Sequence, residues 1–181
     1  MIILGVDPGT LFTGYAVING VDEPLSVLKY DVIKIPSANK FPIRLKQIYD
    51  KLVEVIKMYK PDEFAIETAF YSKNVQSTLK LGHARGVSIL AAVNKQVPTT
   101  EYSPREVKKS VTGRGAASKE QVRYMVMQTF KLTDLPKQMD ISDALSVALC
   151  HHYKMTSLGN KHKPAKWEDY IKMNPKKVIR K

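Results

Sequence analysis

Cysteine is almost absent from this 181-residue chain, and Cys150 stands alone. No intrachain disulfide can form, which fits a reducing compartment. Long apolar runs are missing too; none approaches the roughly 18 residues of a membrane span. The chain opens on a strand-like segment, without the charged and apolar regions of a secretory signal, so a cytoplasmic protein is expected. No internal repeat is visible. Acid is the scarce charge, with 17 Asp and Glu against 29 Lys and Arg, for a formal net charge of +12. From Lys154 onward nine basic and two acidic residues carry +7 of that surplus. A surplus of this sign favours polyanions, nucleic acid first among them, although solubility alone explains much of such a charge.

The pattern is that of one α/β domain. Residues 2–7 form an apolar run, as in a strand covered on both faces. Residues 12–18 read as its hairpin partner, 27–35 as a third strand, 62–67 as a fourth and 98–102 as a short fifth. Helical spacing covers Leu45 to Tyr59, with Pro42 at its start and Pro61 beyond its end. A second helix is predicted over 74–94. Ser103-Pro104-Arg105-Glu106 and Ser118-Lys119-Glu120-Gln121 have capping-box spacing and open two more. A last helix starts at Asp140 and is expected to end near Tyr153. Three strands followed by alternating helices and strands give a mixed sheet. A single folded domain over 1–153 is expected, followed by a basic, disordered tail over 154–181 in which Trp167, Tyr170 and Ile171 keep helical spacing.

Against the general shortage of acid, four residues stand out by position. Asp7 ends the first apolar run before a Pro8-Gly9 turn, and Glu67 ends the run Phe64-Ala65-Ile66. Asp140 and Asp143, three apart, share one face of the last helix. Parallel neighbouring strands would place Asp7 and Glu67 at one sheet edge, where open α/β sheets bind ligands. Two carboxylates about 4 Å apart repel by roughly 4 kcal/mol at an effective dielectric of 20. A divalent cation is the simplest remedy, and hard oxygen donors suit Mg²⁺ or Mn²⁺. Paired ions can activate water and steady the leaving oxygen in phosphodiester cleavage. Each acid also has an ordinary reading: Asp140 as an N-cap, Asp143 as a first-turn acid, Asp7 as a turn residue. Those readings leave Glu67 unexplained.

At these residues the sequence resembles the RuvC family of Holliday-junction resolvases over residues 1–153. Gly5-Val6-Asp7-Pro8-Gly9-Thr10 with Thr13-Gly14-Tyr15 is similar to its first motif. Ala65-Ile66-Glu67 with Phe70, Lys73 and Asn74 is similar to the second. The segments 79–86, 107–113 with Lys119, and 140–145 resemble the next three. The resemblance implies an RNase H-like fold, a five-stranded mixed sheet flanked by helices. It implies a homodimer that nicks a four-way DNA junction symmetrically, leaving 5′-phosphate and 3′-hydroxyl ends, in DNA recombination and repair. It makes Asp7, Glu67, Asp140 and Asp143 the metal-binding catalytic acids, with two Mg²⁺ per subunit and Mn²⁺ as substitute. Phe70 corresponds to a base-stacking aromatic, and Lys108 and Lys119 to basic residues near the scissile phosphate. A RuvA–RuvB branch-migration complex is the implied partner. Another RNase H-like nuclease, a non-cutting junction-binding module and an actin-like ATPase are the alternatives. The ATPase needs two similar domains, which 181 residues do not supply.

The remaining candidates divide. Lys73, Lys108, Lys109, Arg114 and Lys119 are expected to contact DNA, against the plainer reading of a solvated charged face. Tyr71 and His83 receive no role. Gly82 and Gly86, with Leu79 nearby, permit close approach either to the sheet, which the sequence favours, or to a second subunit, which the resemblance favours. Cys150-His151-His152 invites a zinc reading, but consecutive helical residues diverge, so packing with surface histidines is expected instead.

Overall fold

The computed structural model describes residues 1–20, 24–68, 74–136 and 138–159. Five strands run β1 Ile2–Asp7, β2 Phe12–Asn19, β3 Ser26–Lys34, β4 Glu63–Glu67 and β5 Thr99–Tyr102. They form one sheet in the order β3-β2-β1-β4-β5. β1 is antiparallel to β2 and parallel to β4, which is parallel to β5. The helices are α1 Phe41–Tyr59, α2 Val75–Val93, α3 Pro104–Thr112, α4 Lys119–Thr129 and α5 Met139–Gly159. The expected mixed sheet flanked by helices is the observed one.

Side-chain alternation divides the core in two. Leu4, Val6, Phe64 and Ile66 face α1 and α2, packing on Ile48, Leu52, Ala84 and Ala91. Ile3, Ala65, Ala16 and Ile18 face the other layer, where α5 lies over the sheet with α3 and α4 beside it. Both sheet faces are covered, so β1 is apolar at successive positions rather than at alternate ones. Both predicted capping boxes form: Ser103 accepts from the Glu106 amide, and Ser118 from the Gln121 amide, with each partner side chain reaching back.

Two expectations are corrected. The last helix continues six residues beyond Tyr153, to Gly159. Lys154 is thus helical, and its ammonium pairs with Glu106 at 3.2 Å. The histidines of that helix are not on the surface: His151 and His152 are 1% and 7% exposed. The sequence beyond 159 lies outside the described residues.

Candidate active site

Parity along the strands decides where the acids point. Ile3 and Gly5 face α5, so Asp7, two residues on, faces it as well. Ala65 faces α5, so Glu67 does too. Val6 pairs with Ile66 across the parallel β1–β4 contact, which brings Asp7 and Glu67 level at the carboxyl edge of the sheet. The turn after Asp7 is tied by the buried Thr13, whose hydroxyl donates to the Gly9 carbonyl at 2.7 Å.

Two glycines let α5 come down onto this edge. A Cβ at Gly5 would strike the Ala144 carbonyl and lie 2.7 Å from the Ala148 side chain. A Cβ at Gly14 would strike the backbone carbonyl of Asp140. The first turn of α5 is therefore pressed onto β2 beside Asp7, and Asp140 and Asp143 come with it.

The four carboxylates act on one another. Asp7 is held well above the usual carboxylate range, first by burial, then by the charges of Asp143, Glu67 and Asp140, with Lys119 opposing. Burial and Asp143 push Glu67 up to about 7, against Lys119 and Lys108. Lys119 is the first residue of α4, held there by the Ser118 cap, and its ammonium donates to Asp143 Oδ2 at 2.8 Å. That hydrogen bond, with the charges of Asp143, Asp7 and Glu67, raises the lysine in spite of its partial burial. Glu67, Lys108, Lys119, Asp143 and Ser146 line a cleft of about 140 Å³.

The donor set fits a divalent cation in chemistry: four carboxylates, all hard oxygen, under mutual repulsion that a cation relieves. The side chains as they stand are not drawn around a single point, since among the described residues no three acidic, imidazole or thiol groups form a ready ligation cluster. The Lys119 ammonium supplies positive charge among the acids instead. An ion bound here would share Asp143 with that ammonium or displace it.

The basic candidates separate. Lys108 and Lys119 line the cleft. Lys109 lines a different depression with Arg105 and Gly113, and Arg114 a third with Tyr124 and Met125. Phe70 and Lys73, like Tyr71, lie outside the described residues. Leu79, Gly82 and Gly86 sit together with His83 on an open apolar face of α2. A Cβ on either glycine would meet nothing within 4 Å, so the expected approach to the sheet is absent. Sequence reasoning gave no weight to Gly5 and Gly14 as seats for α5; their place on the α5-facing parity of β1 and β2 was the available signal. Ser146 was missed as well, and it lies three residues beyond Asp143 on the same helical face.

A five-stranded sheet of this order, with acids at the ends of its two central parallel strands and two more on an overlying helix, defines an acid-centred domain of the RNase H-like fold. The family model described as crossover junction endodeoxyribonuclease RuvC matches residues 3–151. A crossover junction endodeoxyribonuclease RuvC from Chloroherpeton thalassium is 47% identical over 186 aligned residues, covering 99% of this chain and 100% of that one. RuvC from Thermus thermophilus superposes with a TM-score of 0.80, and T. thermophilus RuvC in complex with a Holliday junction substrate with 0.82. Both are 29% identical to this chain, covering 87% of it and 96% of their own length. This chain belongs to the RuvC family.

Proposed function

We propose that this protein resolves four-way DNA junctions by paired, symmetric nicks, in DNA recombination and repair. It is a crossover junction endodeoxyribonuclease. The observation that carries the reading is the convergence of Asp7, Glu67, Asp140 and Asp143 on one sheet edge beside two lysines.

Asp7, Glu67, Asp140 and Asp143 would hold divalent ions, Mg²⁺ with Mn²⁺ as substitute, two per subunit. Such ions, when bound, supply Lewis acidity and lower the pKa of coordinated water. The chain's own residues do the rest. Lys119, freed from Asp143, neutralises charge that builds on the scissile phosphate, and Lys108 binds the adjoining backbone. The cleft has room for a phosphate group rather than a base pair, which supports recognition through the backbone and junction shape. The products are a 5′-phosphate and a 3′-hydroxyl. Phe70 would stack on an unpaired base, and Lys73, Lys109 and Arg114 would hold phosphates farther from the cut.

A second copy packs on the α2 face of Leu79, Gly82 and Gly86, where two glycines open to solvent allow helices to approach closely. Two-fold symmetry then matches two opposed cuts. A RuvA–RuvB complex as partner rests on the family resemblance alone, as does work in the cytoplasm; no described helix is long and apolar enough to cross a membrane.

The test is to incubate the purified protein with an immobile four-way junction, a linear duplex and an RNA–DNA hybrid, with and without Mg²⁺. Mg²⁺-dependent paired nicks confined to the junction are expected. Preferential cutting of the hybrid, or junction binding with no nick, would overturn the reading.

A further inference from the structure

β5 is a four-residue edge strand with one neighbour, β4. Its last residue, Tyr102, pairs with Glu67, and the Tyr102 carbonyl accepts from the Thr68 amide at 2.8 Å. That bond is the anchor just past Glu67, at the point where β4 ends. What fixes Tyr102 therefore bears on the position of Glu67.

Tyr102 is held from α5. Its phenolic oxygen lies 2.9 Å from His151 Nδ1, and the two rings meet edge-on at 5.8 Å between centroids. Both residues are buried. The other ring nitrogen, Nε2, faces Glu63 Oε2 at 3.5 Å, inside ion-pair range but short of a hydrogen bond. With the ring proton on Nε2, on the side of Glu63, Nδ1 is left to accept from the Tyr102 hydroxyl, and the role proposed below takes this tautomer. One turn further along α5, Lys154 lies over the Tyr102 ring at 5.5 Å and pairs with Glu106, in the first turn of α3. α5 thus grips the β5–α3 corner twice. The same helix carries Asp140 and Asp143.

We propose that His151 is a positioning residue for cleavage: through Tyr102 it holds the end of β4, and with it Glu67, in register with the acids that α5 itself contributes. The role rests on the functional reading above. It gives a role to an imidazole buried between α5 and the sheet. His151 touches no substrate; it couples the two structural elements that must agree if the acids are to act together. Lys108 on α3 follows the same corner.

The test uses the full chain and a synthetic four-way junction with Mg²⁺. Single-turnover cleavage at saturating protein reads the chemical step, and binding with EDTA present reads junction affinity. Tyr102→Phe, which removes one oxygen, and His151→Leu should each slow cleavage about tenfold with affinity unchanged, as a small misplacement of a reacting group does. His151→Asn keeps an acceptor near the Nδ1 position and should restore the rate to within about twofold of wild type. If His151→Leu does not fold, Tyr102→Phe carries the test. Wild-type rates in a folded Tyr102→Phe, losses in affinity that match losses in rate, or no rescue by asparagine each overturn the positioning role while leaving junction cleavage standing. A wild-type protein that never cuts the junction overturns both.

Discussion

Asp7 sits in a conflict of like charges that a bound cation would relieve. Its carboxyl is partly buried among three others, which costs stability whenever all are ionised. Asp7→Asn should therefore lower junction cleavage by about 10²–10⁴-fold while raising stability, without divalent ions, by about 1 kcal/mol. Nick assays and urea melts check the two halves together; a variant both inactive and less stable contradicts the conflict. Glu67 adds a pH dependence. Its carboxyl is raised from 4.5 to about 7, so the folded chain keeps a proton that the unfolded chain has already released. The stabilising effect is complete below about 4.5 and is lost as the pH rises through about 7, by about 1–3 kcal/mol when divalent ions are absent. Urea midpoints at pH 5 and pH 8 should fall with pH more steeply in the wild type than in Glu67→Gln. Equal slopes would remove Glu67 from the cluster. Asp7 and Glu67 were legible in the sequence because an ionised side chain that ends an apolar run requires an explanation. His151 was misread, because helical divergence from its neighbours argues against zinc and says nothing about burial.

At the scale of elements, the site depends on how closely α5 lies on β1 and β2. Gly14→Ala puts a methyl group into the Asp140 carbonyl. A loss of about 1–3 kcal/mol is expected from overpacking, with cleavage falling further because Asp140 and Asp143 move with the helix. Thermal melting together with cleavage rates checks this; an unchanged rate contradicts it. Ser118 holds the start of α4, the turn that presents Lys119. Ser118→Ala should cost about 1 kcal/mol and slow cleavage without altering the length of the product fragments. The elements themselves were readable: apolar runs marked the central strands, and the Ser-x-x-Glu and Ser-x-x-Gln spacings marked α3 and α4. The continuation of α5 past Tyr153 was not, since Lys154, Met155, Thr156 and Ser157 are exposed and carry no apolar periodicity. The touching of Gly5 and Gly14 by α5 is a tertiary fact, which spacing along one chain does not contain.

For the whole molecule, the open face of α2 should hold two copies together. Gly86→Arg puts a long charged side chain where a Cβ now meets nothing. The variant should sediment as a folded monomer, and its nicks on a junction should lose their pairing. A dimer that survives the change, with paired nicks intact, places the interface elsewhere. The pattern alone favoured packing of these glycines on the sheet; a Cβ on either meets nothing within 4 Å, which reverses that preference. The central claim is that four carboxylates distant in sequence make one cation site. Calorimetric titration of Mg²⁺ into the wild type and into Asp7→Asn, Glu67→Gln, Asp140→Asn and Asp143→Asn tests it most directly. Binding by the wild type, weakened about tenfold or more in every variant, is the predicted result. Undiminished binding in all four would contradict the account.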